Sequence, residues 1–98
     1  MSTEGSLVCD VSVVAPLFRT EAFLPELVRR VDEVLGASGM SHELILVDDH
    51  SPGADLEVAC ELAQKDNRIG VIGLKRNVGQ NLAAMIGIMH TSSRWTVL

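Results

Sequence analysis

The 98-residue sequence predicts an α/β domain in which an open, mostly parallel β-sheet carries helices on both faces. Four short runs are almost continuously aliphatic, as strands buried on both faces are. Three segments between these runs repeat apolar residues at helical spacing. Strands that alternate with long crossover segments pair in parallel through right-handed connections, so the order βαβαβαβ predicts this architecture.

The predicted strands are four runs of aliphatic and β-branched residues, which favour extended structure. They are VSVVA at 11–15, ELILV at 43–47, GVIGL at 70–74 and WTVL at 95–98. Because none of them alternates in polarity, each strand is expected to be covered on both faces. Pro16 is expected to end the first strand, since its ring removes a backbone donor.

Three predicted helices separate the strands, at residues 22–36, 54–66 and 79–91. Each has one apolar stripe that is expected to face the sheet. The stripes are Leu24, Leu27, Val28, Val31 and Leu35; Leu56, Ala59, Cys60 and Ala63; and Leu82, Met85, Ile86 and Met89. Pro25 suits the first helical turn. Gly36 and Gly39 are expected to end the first helix, and Ser51 or Asp55 can cap the second.

The composition predicts one soluble globular domain, with 47% hydrophobic and 21% charged residues. The net charge of −5 and the scattered basic residues argue against nucleic acid as a partner. Cys9 and Cys60 lack zinc-site spacing. Cys60 is expected to be a buried thiol on the apolar face of its helix, which favours a reducing compartment.

The sequence contains neither a secretory signal nor a membrane-spanning run. It lacks a basic start followed by an apolar segment, and no apolar run approaches the roughly 18 residues that a bilayer requires. We therefore expect a cytoplasmic chain.

The polar chemistry is concentrated in the loops that follow the first three strands. These loops read PLFRTE, DDHSPGA and KRNVGQN. In an open parallel sheet, ligands bind beyond the carboxyl ends of the strands. Phe18 in the first loop could pack beside a flat base or fill the core. Lys75 and Arg76 in the third could meet a diphosphate at a helix N-terminus, or be a solvated basic pair.

Asp48 and Asp49 follow the second strand directly. Asp48 is expected to stay close to the sheet, and Asp49 to point toward solvent or the next helix. Both could simply shape a turn or cap a helix. Alternatively, they could accept hydrogen bonds from a nucleobase or ribose, or hold a divalent ion. The ion is less favoured because this stretch offers too few ligands.

Several other catalytic patterns are missing. His42, His50 and His90 are isolated, and Ser51 has no histidine partner or nucleophile-elbow sequence, so no hydrolase triad is predicted. Neither G-x-G-x-x-G nor the Walker A pattern is present, which argues against nicotinamide cofactors and P-loop hydrolysis.

Three stretches together carry a family resemblance: SVVAPLFRTEAFLPEL, ELILVDDHSPGADLEV and LKRNVGQNLAAMIGI. In this order and spacing, residues 11–98 resemble the start of an inverting family 2 glycosyltransferase of GT-A fold, particularly the dolichol- or undecaprenyl-phosphate type. The resemblance implies a Rossmann-like sheet with strand order 3-2-1-4, the N-terminal half of a GT-A fold. Residues 1–98 would then form a single partial domain.

The resemblance also implies which residues bind the nucleotide sugar. The first loop would contact the nucleoside, Asp48 would read the base with Asp49 beside it, and the third loop would border the ribose and diphosphate. The implied set is Pro16, Leu17, Phe18, Thr20, Asp48, Asp49, Ser51, Arg76, Asn77, Gly79 and Gln80. The family usually has Tyr-Asn-Glu where this chain has Phe18, Arg19 and Thr20, which displaces the acid to Glu21.

The implied partners are a nucleoside-diphosphate sugar of the UDP or GDP type and an acceptor such as a polyprenyl phosphate. In the family an Asp-x-Asp that binds Mg²⁺ or Mn²⁺ follows the strand matching RWTVL, and the general base lies further on. The 98 residues would therefore contribute no catalytic residue and no metal ligand, and we expect the chain alone to be inactive. A full-length protein would act at the cytoplasmic face of a membrane.

Two other interpretations remain open at this point. The chain could be a non-catalytic α/β module that forms homo-oligomers through the exposed edge of its last strand. A receiver-like phosphoacceptor domain also alternates strands and helices. That fold places its acidic pair after the first strand, however, whereas here the pair follows the second.

Overall fold

A computed structural model of the chain describes residues 9–98. Strands and helices alternate throughout, as the sequence predicts. The elements in order are β1 (Cys9–Leu17), α1 (Leu24–Ser38), β2 (His42–Asp48), α2 (Asp55–Lys65), β3 (Ile69–Gly73), α3 (Gln80–Ile88) and β4 (Ser93–Val97). The boundaries lie within a few residues of the predicted ones.

The four strands form one parallel sheet in the order β3-β2-β1-β4, which confirms the order 3-2-1-4. Leu17 at the end of β1 pairs with Asp48 at the end of β2, and Asp48 pairs with Gly73 at the end of β3. The first three strands therefore end at the same level of the sheet. This register brings the three polar loops to one edge.

Pro16 lies inside β1, so the prediction that it ends the strand was wrong. Neighbouring residues of a strand direct their backbone groups to opposite sides. The carbonyl of Leu17 accepts a bond from Asp49 N–H on the β2 side, so Pro16 faces the other side. On that side the described pairing with β4 stops at Val13. The missing donor of Pro16 therefore costs no ladder hydrogen bond.

Helices cover both faces of the sheet, as predicted. Alternate residues of β2 point to opposite faces: Leu44 and Leu46 belong to the core that contains Leu24 of α1 and Ala59 of α2, and Ile45 and Val47 belong to the core beneath α3. β2 is almost entirely buried. The continuous apolar character of ELILV is thus explained by packing on two sides.

The buried face of α3 is not the predicted one. Ala83, Ala84 and Gly87 face the sheet, while Met85 and Met89 are 59% and 80% exposed. Gly87 allows this close approach, because a Cβ atom there would lie 2.9 Å from Cγ2 of Val47. Small residues therefore decide which side of the helix packs, although the large residues carry the more hydrophobic stripe.

Two further sequence expectations are corrected by the helices. Cys60 is exposed, because α2 packs through Val58, Ala59, Leu62 and Ala63 and turns its thiol outward. The first helix continues past Gly36 and ends before Gly39, which adopts the left-handed conformation (φ 78°) that favours glycine. Within residues 9–98, no helix is both long and apolar enough to cross a membrane.

Candidate functional site

The three polar loops meet at the carboxyl ends of β1, β2 and β3. Two backbone hydrogen bonds of 2.9 Å join them, from Asp49 N–H to the Leu17 carbonyl and from Leu74 N–H to the Asp48 carbonyl. Above these bonds lies a hollow of about 130 Å³. Six of the residues named from the sequence line it: Pro16, Leu17, Phe18, Thr20, Asp49 and Gln80.

Asp49 joins the second loop to the start of α3. Its carboxylate accepts hydrogen bonds from the backbone N–H groups of Val78 (2.8 Å) and Gly79 (3.0 Å) and from the side-chain amide of Asn77 (3.1 Å). The side chain is 2% exposed and points neither to solvent nor to α2, which corrects the expected orientation. Asp49 therefore fixes the two residues directly before a helix that begins about thirty residues later in the chain.

Asp48 is as deeply buried as its neighbour but poorly hydrogen-bonded. It is 4% exposed, and the contact described for its carboxylate is a long one of 3.4 Å from Ser51 N–H. Burial raises the pKa of Asp48 above its ordinary value of 3.8, and the nearby carboxylate of Asp55 raises it further. The expectation that Asp48 stays close to the sheet is confirmed.

Replacing Asp48 with asparagine is expected to stabilise the fold at neutral pH. An acid whose pKa is raised by folding stabilises the protein only while it is protonated, and that contribution is lost as the pH rises through the folded pKa. Asparagine keeps the shape without the buried charge. Urea denaturation should give Asp48→Asn a higher midpoint than the wild type at pH 7, and the difference should vanish below pH 3.8. A lower midpoint at pH 7 would contradict this assignment.

Asp55 ties the first and second loops together, although it was considered in the sequence only as a helix cap. It is the first residue of α2 and fully buried. Its carboxylate accepts hydrogen bonds from the N–H (2.8 Å) and hydroxyl (2.7 Å) of Thr20 and from the Ser51 hydroxyl (2.9 Å). Burial alone would raise the pKa of Asp55, but these bonds lower it below 3.8.

The hydroxyls of Thr20 and Ser51 are therefore bonded within the protein. Neither Ser51 nor Asp55 caps α2, which begins after Ala54 without a side-chain cap bond. Helical spacing gave no sign of the contact between Thr20 and Asp55, because it joins residues 35 positions apart. The one local signal was an acid four residues after a serine in a turn.

Phe18 lines the hollow on its solvent side, and Arg19 follows it in the same exposed loop. Phe18 is 43% exposed, and the guanidinium carbon of Arg19 lies 5.4 Å from its ring centroid, within the range of a cation–π contact. Arg19 has a φ of 60°, uncommon for a residue with a side chain. Its N–H donates to the Ser51 hydroxyl (3.0 Å), which holds this conformation in place.

The third loop presents two cations to solvent. Lys75 and Arg76 are exposed directly before Asn77. The Asn77 amide donates to both the carbonyl (3.0 Å) and the carboxylate (3.1 Å) of Asp49, so this loop is fixed against the second one. The basic pair thus lies on a loop that hydrogen bonds hold against Asp49, a residue that lines the hollow.

A second hollow, of about 550 Å³, lies at the opposite edge of the sheet, where the strands begin. Its lining includes His42, Glu43 and Arg68 and none of the residues named from the sequence as binding residues. Asp32 and Arg68 form an ion pair (3.0 Å), and the ring of His42 contacts the same carboxylate (3.1 Å). We favour the smaller hollow because parallel sheets bind ligands at their carboxyl ends.

The sequence from residue 12 to residue 98 matches the model of a family described as "Glycosyl transferase family 2". The chain belongs to glycosyl transferase family 2. This family member is 39% identical over 83 residues to the undecaprenyl-phosphate 4-deoxy-4-formamido-L-arabinose transferases of Salmonella paratyphi B and Salmonella newport. The match covers 84% of this chain and 25% of each relative, so the chain spans about a quarter of their length.

Solved structures show the same fold. TarS of Staphylococcus aureus superposes with a TM-score of 0.72 at 18% identity, over 89% of this chain and 26% of that one. The mannosyltransferase PcManGT of Pyrobaculum calidifontis, solved with GDP-Man and Mn²⁺, gives 0.68 at 14% identity, over 85% and 24%. The family 2 chain thus has a parallel sheet and helices that match part of the GT-A fold.

Proposed function

We propose that this chain is the nucleotide-sugar-binding part of an inverting glycosyltransferase that uses a nucleoside-diphosphate sugar as donor. The observation that carries the proposal is the hollow at the carboxyl ends of β1, β2 and β3, lined by an aromatic ring and a carboxylate. A hollow of about 130 Å³ is small, so it accommodates the base and leaves the ribose and diphosphate outside. The base would lie against Phe18, which offers a flat apolar surface.

The two adjacent acids would have different roles in binding. Three hydrogen bonds fix Asp49 at the wall of the hollow, so it is preorganised to accept a further bond from a base N–H or a ribose hydroxyl. Asp48 pairs in register with Leu17 and lies beneath the loops. Asp48 would lie under the part of the hollow that holds the base and would stabilise the base from the side of the sheet.

The diphosphate is assigned to the basic pair and not to the N-terminus of α3. Helix N-termini usually attract anions. Here the carboxylate of Asp49 is bonded to the N–H groups of Val78 and Gly79 directly before the helix, and its negative charge would repel a second anion. Lys75 and Arg76 are the exposed cations of the adjacent loop. They would bind the diphosphate by charge, with Arg76 also able to bind two oxygens at once.

No chemical step is assigned to a metal on this chain. Among residues 9–98, no three His, Cys, Asp or Glu side chains are arranged to hold an ion. Asp49 and Asp55 direct their carboxylates to internal donors. Family members use Mg²⁺ or Mn²⁺ at the diphosphate, so in the complete enzyme we place that ion, the general base and the acceptor site outside these residues, and we expect the isolated chain to bind but not to react.

The acceptor is proposed to be a polyprenyl phosphate. The Salmonella relatives are named for an undecaprenyl-phosphate acceptor. Such an acceptor is a lipid, so the complete enzyme would act at the cytoplasmic face of a membrane. Sugars carried on polyprenyl phosphates are precursors of cell-wall and other glycans.

Calorimetric titration with UDP, GDP, uridine and guanosine tests the proposed donor site. The wild-type chain should bind one of the two diphosphates. Arg76→Ala should weaken the binding of that diphosphate by about tenfold, the effect of losing about 1.4 kcal/mol of binding free energy. The binding of the corresponding nucleoside should be unchanged. Arg94→Ala removes an equally exposed charge at the other end of the sheet and should change neither. Absence of binding to either diphosphate would contradict the proposal.

The edge of β4 supports a second candidate function, self-association. Among the described residues β4 pairs with β1 alone, and Trp95 and Val97 are 66% and 52% exposed. An open edge with apolar side chains can pair with another chain. Light scattering should then show a mass that rises with concentration, and Trp95→Lys should keep the chain monomeric. A wild-type chain that stays monomeric at every concentration would exclude this function.

A further inference from the structure

The first loop of the site is held in place from outside the hollow. It runs from Phe18 to Phe23 between β1 and α1. Its attachment points are the backbone and hydroxyl of Thr20, which donate to Asp55, and the backbone N–H of Arg19, which donates to the Ser51 hydroxyl. The Ser51 hydroxyl in turn donates to Asp55. All of these bonds converge on one carboxylate.

We propose that Asp55 is a positioning residue for the nucleotide, which sets the affinity of the hollow by holding the first loop against the second. This inference rests on the proposed nucleotide-binding function. Asp55 is fully buried and does not line the hollow, so it cannot touch a ligand there. Asp55 would therefore act on a ligand indirectly, chiefly through its hydrogen bonds to Thr20 and Ser51.

The position of the loop matters because the loop supplies a large part of the hollow. Phe18 and Thr20 line it, and Arg19 lies over the Phe18 ring in the left-handed conformation. A residue with a side chain stays in that conformation only when its surroundings hold it. Without Asp55 the loop would sample several positions, and only a fraction of the molecules would present Phe18 to the base. The apparent affinity is the intrinsic affinity multiplied by that fraction.

The bonding pattern also fits a carboxylate better than an amide. One oxygen of Asp55 accepts two bonds from Thr20 and the other accepts one from Ser51. An asparagine amide can replace the first oxygen, but its NH₂ group would face the Ser51 hydroxyl. The Ser51 hydroxyl would then have to accept a hydrogen bond from residue 55 instead of donating one. Asp55→Asn should therefore retain the fold and only part of the loop order.

The experiment combines nucleotide titration with a double-mutant cycle on the 98-residue chain. Thr20→Val removes the hydroxyl that donates to Asp55 and keeps the shape of the side chain, whereas Thr20→Ser keeps the hydroxyl. We expect Asp55→Asn and Thr20→Val each to lower the affinity for the diphosphate by about tenfold, equivalent to about 1.4 kcal/mol. The diphosphate is the one that the wild type binds. Thr20→Ser should lose less affinity than Thr20→Val, because it keeps the hydroxyl that donates to Asp55.

The double variant tests whether the two residues act as one unit. The cycle uses Asp55→Ala, which removes the acceptor of the Thr20 hydroxyl altogether. If Asp55 works through Thr20, the variant with Asp55→Ala and Thr20→Val should bind no more weakly than the worse of these two single variants, because coupled residues are not additive. Additive losses would mean that Thr20 contacts the ligand independently and would overturn the inference. Glu57→Gln neutralises an exposed acid on the same helix and should leave binding unchanged.

Amide hydrogen exchange provides a measurement that needs no nucleotide. In Asp55→Asn the amides of Arg19 and Thr20 should exchange faster than in the wild type, while those of β2 keep their protection. Uniformly faster exchange would indicate a general loss of stability and would contradict a positioning role. Absence of wild-type nucleotide binding would defeat the proposed function itself. Normal binding by a folded Asp55→Asn variant would defeat this inference alone.

Discussion

Gly87→Ala is expected to destabilise the domain by about 3 kcal/mol, near the upper end of what one inserted methyl group costs in a packed core. The added Cβ atom would lie 2.9 Å from Cγ2 of Val47 and closer still to Cγ1 of Val14. Both valines are buried, at 0% and 1% exposure, so neither can move aside without disturbing the sheet. Helix α3 would have to lift away from β1 and β2.

Urea denaturation measures this effect directly. Gly36→Ala is the matched control, because nothing lies within 4 Å of a Cβ atom at that position in α1. Alanine is the better helix former there and should stabilise the chain by about 0.5–1 kcal/mol. If both alanine variants unfolded at the same urea concentration, the close packing of α3 on the sheet would be refuted.

Asp49→Ala is expected to cost the fold about 3 kcal/mol, because hydrogen bonds to charged groups contribute about 1.5–3 kcal/mol each. The N–H groups of Val78 and Gly79 would lose their acceptor, and the Asn77 amide would keep only its bond to the carbonyl of residue 49. The start of α3 and the third loop would then loosen together. Nucleotide binding should be lost at the same time, since Asp49 also lines the hollow.

The variants Asp49→Asn and Asp48→Asn are expected to shift the urea midpoint in opposite directions, which distinguishes the two neighbouring acids. An asparagine at position 49 would place its NH₂ group against a backbone N–H, so its urea midpoint should fall. The same change at position 48 relieves a buried charge, so its midpoint at pH 7 should rise. Two shifts of the same sign would contradict the assigned hydrogen bonding.

The alternation of elements was sufficient to predict a parallel sheet whose polar loops meet at one edge, and the family resemblance supplied the strand order. The alternation of VSVVA, ELILV and GVIGL with amphipathic segments has one common solution, a parallel sheet with right-handed crossovers. In-register strand ends then place Pro16, Asp49 and Gln80 at a single edge. These features depend on local composition and on the order of elements along the chain, both of which can be read directly from a sequence.

Features that depend on contacts between distant residues could not be predicted. The apolar stripe of α3 pointed to Met85 and Met89, but the sheet selects Ala83, Ala84 and Gly87 because they allow the closest approach. The turn that precedes α3 is fixed by Asp49, 30 residues before Gly79. Turn chemistry near each residue gives no information about such partners, since they are set by how the loops meet.

The proposed nucleotide site is tested most directly by backbone amide chemical shifts of the 98-residue chain during titration with UDP and GDP. We expect the largest changes at Phe18, Thr20, Asp49 and Gln80, which line the hollow at the carboxyl ends of the strands. Saturable changes centred instead on His42 and Arg68, at the opposite hollow, would contradict the site. So would spectra that remain unchanged with both nucleotides.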